Sequence, residues 1–147
     1  MIMYEDDESY AIGHKFETYL ESMFVRSGFK ILLRPDEWGS TVPDFYVRAA
    51  GRPKFWVEAK YRNRLIDDKY DVCLKDPHRL KTWHIFQEVV RPEPVYMVLG
   101  LGGDPTRPEK TYCLDLQLVK NPGMYHSTLR DNVHESETFK FEKGRLS

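Results

Sequence analysis

Two acids and an amine stand out in this sequence for what they could do together: Asp44, directly after Pro43, and the run Glu58, Ala59, Lys60. Two carboxylates held at one spot repel each other and invite a counter-charge. Hard oxygen donors of this kind suit Mg²⁺ or Mn²⁺, ions that keep several waters and take phosphate oxygens as further ligands. An ammonium two residues beyond the second acid can hold an attacking water and offset charge building on a phosphate, while a metal ion polarises the phosphoryl oxygen. That combination is phosphodiester hydrolysis in outline. The competing reading is an exposed patch closed by an ordinary salt bridge, worth at most about 1 kcal/mol. What separates the two is whether the backbone brings all three side chains to one face.

Residues 44–48 and 54–62 read as strands joined by a turn at Ala50, Gly51, Arg52 and Pro53. A turn centred on Gly51 sets Phe45 opposite Val57, Tyr46 opposite Trp56 and Asp44 opposite Glu58. Because side chains alternate along a strand, Asp44, Glu58 and Lys60 share one face, and Phe45, Val47, Phe55, Val57 and Ala59 line the other as core. Like charges directly opposite, with Cβ atoms roughly 5 Å apart, destabilise a sheet and strengthen the case for a bound cation. Tyr46 and Trp56 fall on the acidic face. They are expected to pack beneath the first helix, with stacking on bases as the alternative role.

The elements around this hairpin follow from periodicity and punctuation. Ser9 offers a cap to a first helix in which Ile12, Phe16, Leu20, Met23 and Phe24 recur at three- and four-residue steps until Gly28 stops it. A short strand over 30–34 ends before Pro35, and 36–41 is a polar loop. Residues 62–75 lack a clean period and read as loop with a helical turn. Asp76-Pro77 opens a second helix through Leu80, Trp83, Phe86 and Val90, ending at Arg91-Pro92. The apolar run 95–101, bounded by Pro94 and Gly102-Gly103, is a strand covered on both faces and therefore central. After the loop GGDPTRPEK one more strand is expected over 112–119, and in the tail, 120–147, only 138–141 shows alternation. Helix, three strands, helix, strands predicts an α/β fold: a three-layer α/β/α sandwich with a central mixed sheet, one domain with its core over about 10–119.

Composition narrows the function classes. No apolar run approaches the roughly 20 residues of a membrane span, and the N-terminus MIMYEDDESY is acidic where a signal peptide is basic. A cytoplasmic location is expected. Cys73 and Cys113 have no CxxC partner and are expected as buried thiols, and His14, His78, His84, His126 and His134 make no HxH or HxxxH pair, so a zinc site is disfavoured. The net charge is −1, but residues 48–91 carry eleven Lys/Arg against six Asp/Glu, a local +5. Such a segment can contact several phosphates, and Arg62, Arg64 and Lys81 are the candidate nucleic-acid contacts; a solvated mixed-charge face is the alternative.

Pro43-Asp44 with Glu58-Ala59-Lys60, in the context of helix, hairpin, helix and apolar strand, resembles the PD-(D/E)xK nuclease superfamily, whose fold is restriction-endonuclease-like. The resemblance spans about residues 13–119. It implies that Asp44, Glu58 and the Ala59 carbonyl hold Mg²⁺ or Mn²⁺ and that Lys60 acts with them in hydrolysis. Many members carry a glutamate on the first helix within Gly-x-x-Phe-Glu, and Gly13-His14-Lys15-Phe16-Glu17 is similar. Helical geometry agrees: at about 100° per residue, Glu17 lies about 20° from Phe24 and about 60° from Leu20, while Glu21 turns further toward solvent. A surface glutamate is the other reading of Glu17. Several branches place a glutamine or lysine on the following helix; Gln87, which interrupts the Leu80–Trp83–Val90 stripe, is the candidate, with Lys81 the second choice and a satisfied boundary glutamine the alternative. The partner implied is nucleic acid, DNA before RNA, and a duplex-spanning cut at this size calls for a homodimer. No sequence-reading domain is evident, which favours a structure-selective or non-specific nuclease. A catalytically inactive module of the same fold, binding nucleic acid or a protein, is the alternative function.

Overall fold

The structure, a computed structural model, describes residues 3–34, 42–51, 53–73 and 76–147, with the backbone alone for residues 3–9. The expected polar loop over 36–41, Arg52 of the expected turn and the side chain of Ser9 lie outside the described residues.

Helix α1 runs Met3–Arg26, beginning before Ser9 rather than at it. Acidic residues are favoured near a helix N-terminus by its partial positive charge, and Glu5, Asp6, Asp7 and Glu8 occupy the extra turns. The C-terminus closes as read. Gly28 adopts φ of 82°, its N–H donates to the Val25 carbonyl and the Phe29 N–H to the Phe24 carbonyl, and the rings of Phe24 and Phe29 meet across the end.

Five strands form the main sheet in the order β1-β2-β3-β5-β6: β1 Lys30–Leu33, β2 Phe45–Arg48, β3 Lys54–Arg62, β5 Val95–Asp104 and β6 Arg107–Asp115. β3 and β5 are parallel and the other pairs antiparallel, so the sheet is mixed. Helix α2, Arg79–Val90, makes the connection between the parallel pair after Asp76, whose carbonyl and carboxylate take the N–H groups of Arg79 and His78. On one side of the sheet, α1 packs Phe16, Leu20 and Phe24 against Phe45, Phe55, Val57 and Val98; on the other, Leu80 and Trp83 pack against Trp56, Met97 and Leu99. β5 alternates into both cores, as a strand covered on both faces must. It lies one strand from the edge, and β3 holds the centre.

Four expectations are corrected. The GGDPTRPEK stretch is a hairpin: β5 continues to Asp104 and β6 starts at Arg107. Gly102 and Gly103 have φ of 70° and 64° within the strand, and a Cβ on Gly103 would lie 2.9 Å from the Arg107 carbonyl oxygen, so these glycines serve the ribbon rather than break it. β6 stops at Asp115, whose carboxylate accepts the Gln117 N–H and turns the chain into a 3-10 segment, Leu116–Leu118. The described residues 62–73 hold no helical turn; Ile66 bridges Lys69 around Asp67 and Asp68, both at positive φ, and leads into β4, Lys69–Asp71. Two aspartates are an uncommon choice for such a turn, which is why it left no signal. The two cysteines are each half-buried rather than buried.

The tail is built into both cores. β7, Gly123–Tyr125, pairs with β4, and helix α3, His126–Arg130, follows; Met124 and Leu129 are buried on the α2 side. Phe139 returns to the α1 side, its N–H donating to Ser27 Oγ at 2.7 Å and its ring 4.7 Å from that of Phe24, with Leu146 of the small hairpin β8 Phe141–Glu142 and β9 Arg145–Leu146 beside it. Phe139→Ala should therefore cost about 3 kcal/mol, the usual result of emptying a buried aromatic site. Urea denaturation of the two proteins measures it; a loss under about 1 kcal/mol would show the tail to be a loose covering.

Candidate active site

The β2–β3 pairing is in the expected register, Phe45 with Val57 and Tyr46 with Trp56. At the turn, the Ala49 N–H donates to the Pro53 carbonyl at 2.9 Å. Antiparallel ladder bonds recur at every second pair, so the next bonded pairs are 47/55, 45/57 and 43/59. Position 43 is a proline and has no N–H to give. The ladder ends there, and the Ala59 N–H donates instead to Oδ2 of Asp44 at 2.8 Å. Pro43 thus leaves the Ala59 carbonyl without its ladder donor, and Asp44 is fixed against the main chain between Glu58 and Lys60.

Glu58 is 4 % exposed, and Lys60 Nζ lies 2.8 Å from its Oε2. The same ammonium sits 5.0 Å from the ring centroid of Trp83 on α2. Behind it, the buried Tyr70 hydroxyl lies 3.0 Å from the carbonyl oxygens of both Lys60 and Gly100, tying β3 to β5. Glu17 comes from α1, and its approach depends on Gly100: a Cβ there would fall 2.6 Å from Phe16 Cε1. The bare backbone of β5 lets the Phe16 ring settle on the sheet, and the next residue of the helix overhangs a cleft of about 300 Å³ lined by Gly13, Glu17, Asp44, Ala59, Lys60 and Arg62, among others.

The acids feel one another. Burial, then the Glu58 and Glu17 charges, raise the Asp44 carboxyl well above its usual range, against the opposing pull of Lys60 and the Ala59 N–H. Glu17 is also raised, first by burial and then by Glu58, with Arg34, His14 and Lys60 opposing. Such a site holds more negative charge than its surroundings compensate. Among the described residues, no three His, Cys, Asp or Glu side chains form a group able to hold a metal ion on their own. Mg²⁺ does not require one: it commonly takes one or two carboxylates and fills its remaining positions with water and substrate oxygens. Asp44, Glu58 and the Ala59 carbonyl fit that partial donor set.

A Holliday junction resolvase, Hjc from Archaeoglobus fulgidus, has a similar structure, with a TM-score of 0.62 over 85 % of this chain and 93 % of its own, at 19 % identity. The chain has the restriction-endonuclease-like fold. The PD-(D/E)xK resemblance read from Pro43-Asp44 and Glu58-Ala59-Lys60 is borne out at the level of the fold. No family model matches the chain, and no curated protein does.

Within this restriction-endonuclease-like frame the other candidates are dispersed. Gln87 is buried on the same face of α2 as Leu80 and Trp83, and among the described residues its amide makes no hydrogen bond to the acids or to Lys60. Arg62 lines the cleft with its guanidinium anchored, Nε to the Asp71 carbonyl and Nη1 to its neighbour Tyr61. Arg64 is exposed just past β3, and Lys81 is exposed on α2. Tyr46 and Trp56 do not lie under α1: they stack on each other at 4.1 Å, both donate to the Glu93 carboxylate, and Trp56 meets Phe86 of α2. The sheet face opposite the Phe45 row belongs to α2, which the hairpin pattern alone does not say. Three contributors went unread: Arg34, which pairs with Glu21 and acts on Glu17, Tyr70 and Trp83. Trp83 was legible only as a core residue of an apolar stripe.

A raised Asp44 pKa means that the folded protein holds this proton more tightly than the unfolded chain does. In metal-free buffer, the contribution of Asp44 to stability should therefore be fully present below about pH 4, the ordinary aspartate value, and be lost as pH rises through the raised folded value. Asp44→Asn keeps an oxygen for the Ala59 N–H and removes the charge. Its melting temperature at pH 7 should exceed the wild type by about 2–4 °C, with a flatter pH dependence, equivalent to about 1 kcal/mol. Calorimetric scans of both proteins from pH 4 to pH 8 test this; parallel curves would mean that Asp44 is not the strained acid.

Proposed function

We propose that this chain is a divalent-metal-dependent nuclease that cuts DNA. The observation that carries the reading is the convergence on one cleft of Glu17 from α1, Asp44 just before β2, and the Ala59 main chain and Lys60 from β3, with Glu58 paired to Lys60 and with Asp44 and Glu17 both disfavoured as anions. The fold shared with a Holliday junction resolvase supports it. Asp44, Glu58 and the Ala59 carbonyl would hold Mg²⁺ or Mn²⁺, with Glu17 as an outer carboxylate. The bound ion would polarise the scissile phosphate and acidify a water. Lys60 holds the attacking water and neutralises charge on the phosphate in flight. Arg62 and Arg64, at the end of β3, hold the flanking backbone, and Gln87, on the Trp83 face of α2, is the remaining candidate. Acting on both strands of a duplex or a branched junction calls for two copies.

The test is cleavage of linear duplex, single-stranded and four-way-junction DNA with Mg²⁺, with an RNA control. Lys60→Ala should lower the rate about 10²–10³-fold, the range for losing one stabilising donor, and Asp44→Ala should abolish Mg²⁺ dependence. Background cleavage shared by wild type and both variants on every substrate would sink the proposal. The Lys60–Glu58 ion pair favours one competitor, a non-catalytic binding module in which the lysine simply satisfies a buried acid. Titration calorimetry separates them: the nuclease binds Mg²⁺ or Mn²⁺ and Asp44→Asn does not, whereas the module shows no heat of metal binding in either.

A further inference from the structure

Trp83 is 1 % exposed, and among the described residues its buried indole N–H has no hydrogen-bond partner. An unpaired buried donor is a cost that phenylalanine or leucine in the same place would avoid. What indole has and those lack is the most strongly cation-binding ring face among the side chains. That face is used: the Lys60 ammonium stands 5.0 Å from its centroid.

We infer that Trp83 is a positioning residue that holds the Lys60 ammonium at the cleft when Glu58 is engaged by a divalent cation, an inference that rests on the nuclease reading above. The ammonium has two partners of different kinds, the Glu58 carboxylate at 2.8 Å and the ring. Glu58 is also a proposed metal donor, so a cation there draws on the same oxygens that hold the lysine. The ring offers no oxygen to a metal and keeps its hold whichever way the carboxylate is committed. Both ends of Lys60 are then fixed: the backbone by the Tyr70 hydroxyl at its carbonyl, the ammonium by an indole locked on the buried face of α2 beside Leu80. A lysine held by carboxylate alone would be released to solvent at the moment the metal arrives, with its pre-organisation lost.

The experiment pairs NMR of the lysine side chains with steady-state kinetics on the intact chain. The Lys60 ε-methylene signal, assigned by its loss in Lys60→Met, should lie upfield from the ring current of Trp83, stay upfield in saturating Mg²⁺, and return to the ordinary lysine position in Trp83→Leu. Trp83→Phe should lower kcat about fivefold and Trp83→Leu about tenfold, with KM and Mg²⁺ affinity within about twofold of wild type. Trp83→Phe keeps an aromatic filler should the leucine variant fail to fold, and the wild-type signal requires no variant of Trp83. An unshifted Lys60 signal in Mg²⁺ overturns the inference, as does a fall confined to KM or a wild-type kcat in Trp83→Phe. A wild-type protein that cuts nothing sinks the nuclease reading instead, while the signal in Mg²⁺ still decides where the lysine sits.

Discussion

A proline that cannot donate a hydrogen bond sets the geometry of the cleft. Ladder bonding between β2 and β3 reaches the pair of Pro43 and Ala59 and breaks there: proline has no N–H for the Ala59 carbonyl, and the Ala59 N–H turns from the backbone to a side chain. An unsatisfied amide at a partly buried position is unfavourable, and the neighbouring Asp44 carboxylate meets it at 2.8 Å. This one substitution of a side chain for a backbone partner fixes the first acid beside the second. The missing proline donor leaves main-chain oxygen free on the strand that carries Glu58 and Lys60. The remaining members, Glu17 above and Trp83 below, arrive from helices that can approach only because the sheet beneath them is shaped to receive them.

The electrostatics of the site run against stability. Asp44, Glu17 and Glu58 act on one another with one ammonium close at hand, and burial pushes Asp44 and Glu17 toward their protonated forms. A buried pair such as Glu58 with Lys60 roughly balances its own desolvation, and removing one partner costs far more than the pair contributes. On the nuclease proposal a cation would complete the arrangement. In that view the ion pair seen at Glu58 is the resting state of a site built to take additional positive charge. The salt bridge and the active site, offered as competing readings of the same residues, are compatible in one structure.

Packing supplies the rigidity that such a site requires. Tyr70 ties the carbonyls of Lys60 and Gly100 together where the parallel strands β3 and β5 pass the cleft, and Gly100 gives Phe16 a seat without which α1 would stand off the sheet. The tail adds Phe139 and Leu146 to one core and Met124 and Leu129 to the other, so both layers that flank the acidic strand are closed.

The sequence by itself determined what depends on neighbours along the chain. The hairpin register was readable from a glycine turn and strict alternation, the end of α1 from Gly28, and the doubly covered β5 from its unbroken apolar run. The pattern around Pro43-Asp44 and Glu58-Ala59-Lys60 named the acids and the amine, and the fold agrees with what that pattern implied. Other features were decided by contacts distant in sequence. Which helix covers the Tyr46–Trp56 face, the hairpin through Gly102 and Gly103, the return of Phe139 to Ser27 and the meeting of Lys60 with Trp83 follow from how layers stack. Periodicity says which side of an element is apolar and not what it faces, and a glycine reads as a break whether it ends a strand or lets one continue in the left-handed region. Partners in three dimensions are chosen by shape and by the satisfaction of buried groups, quantities that exist only once the layers have closed.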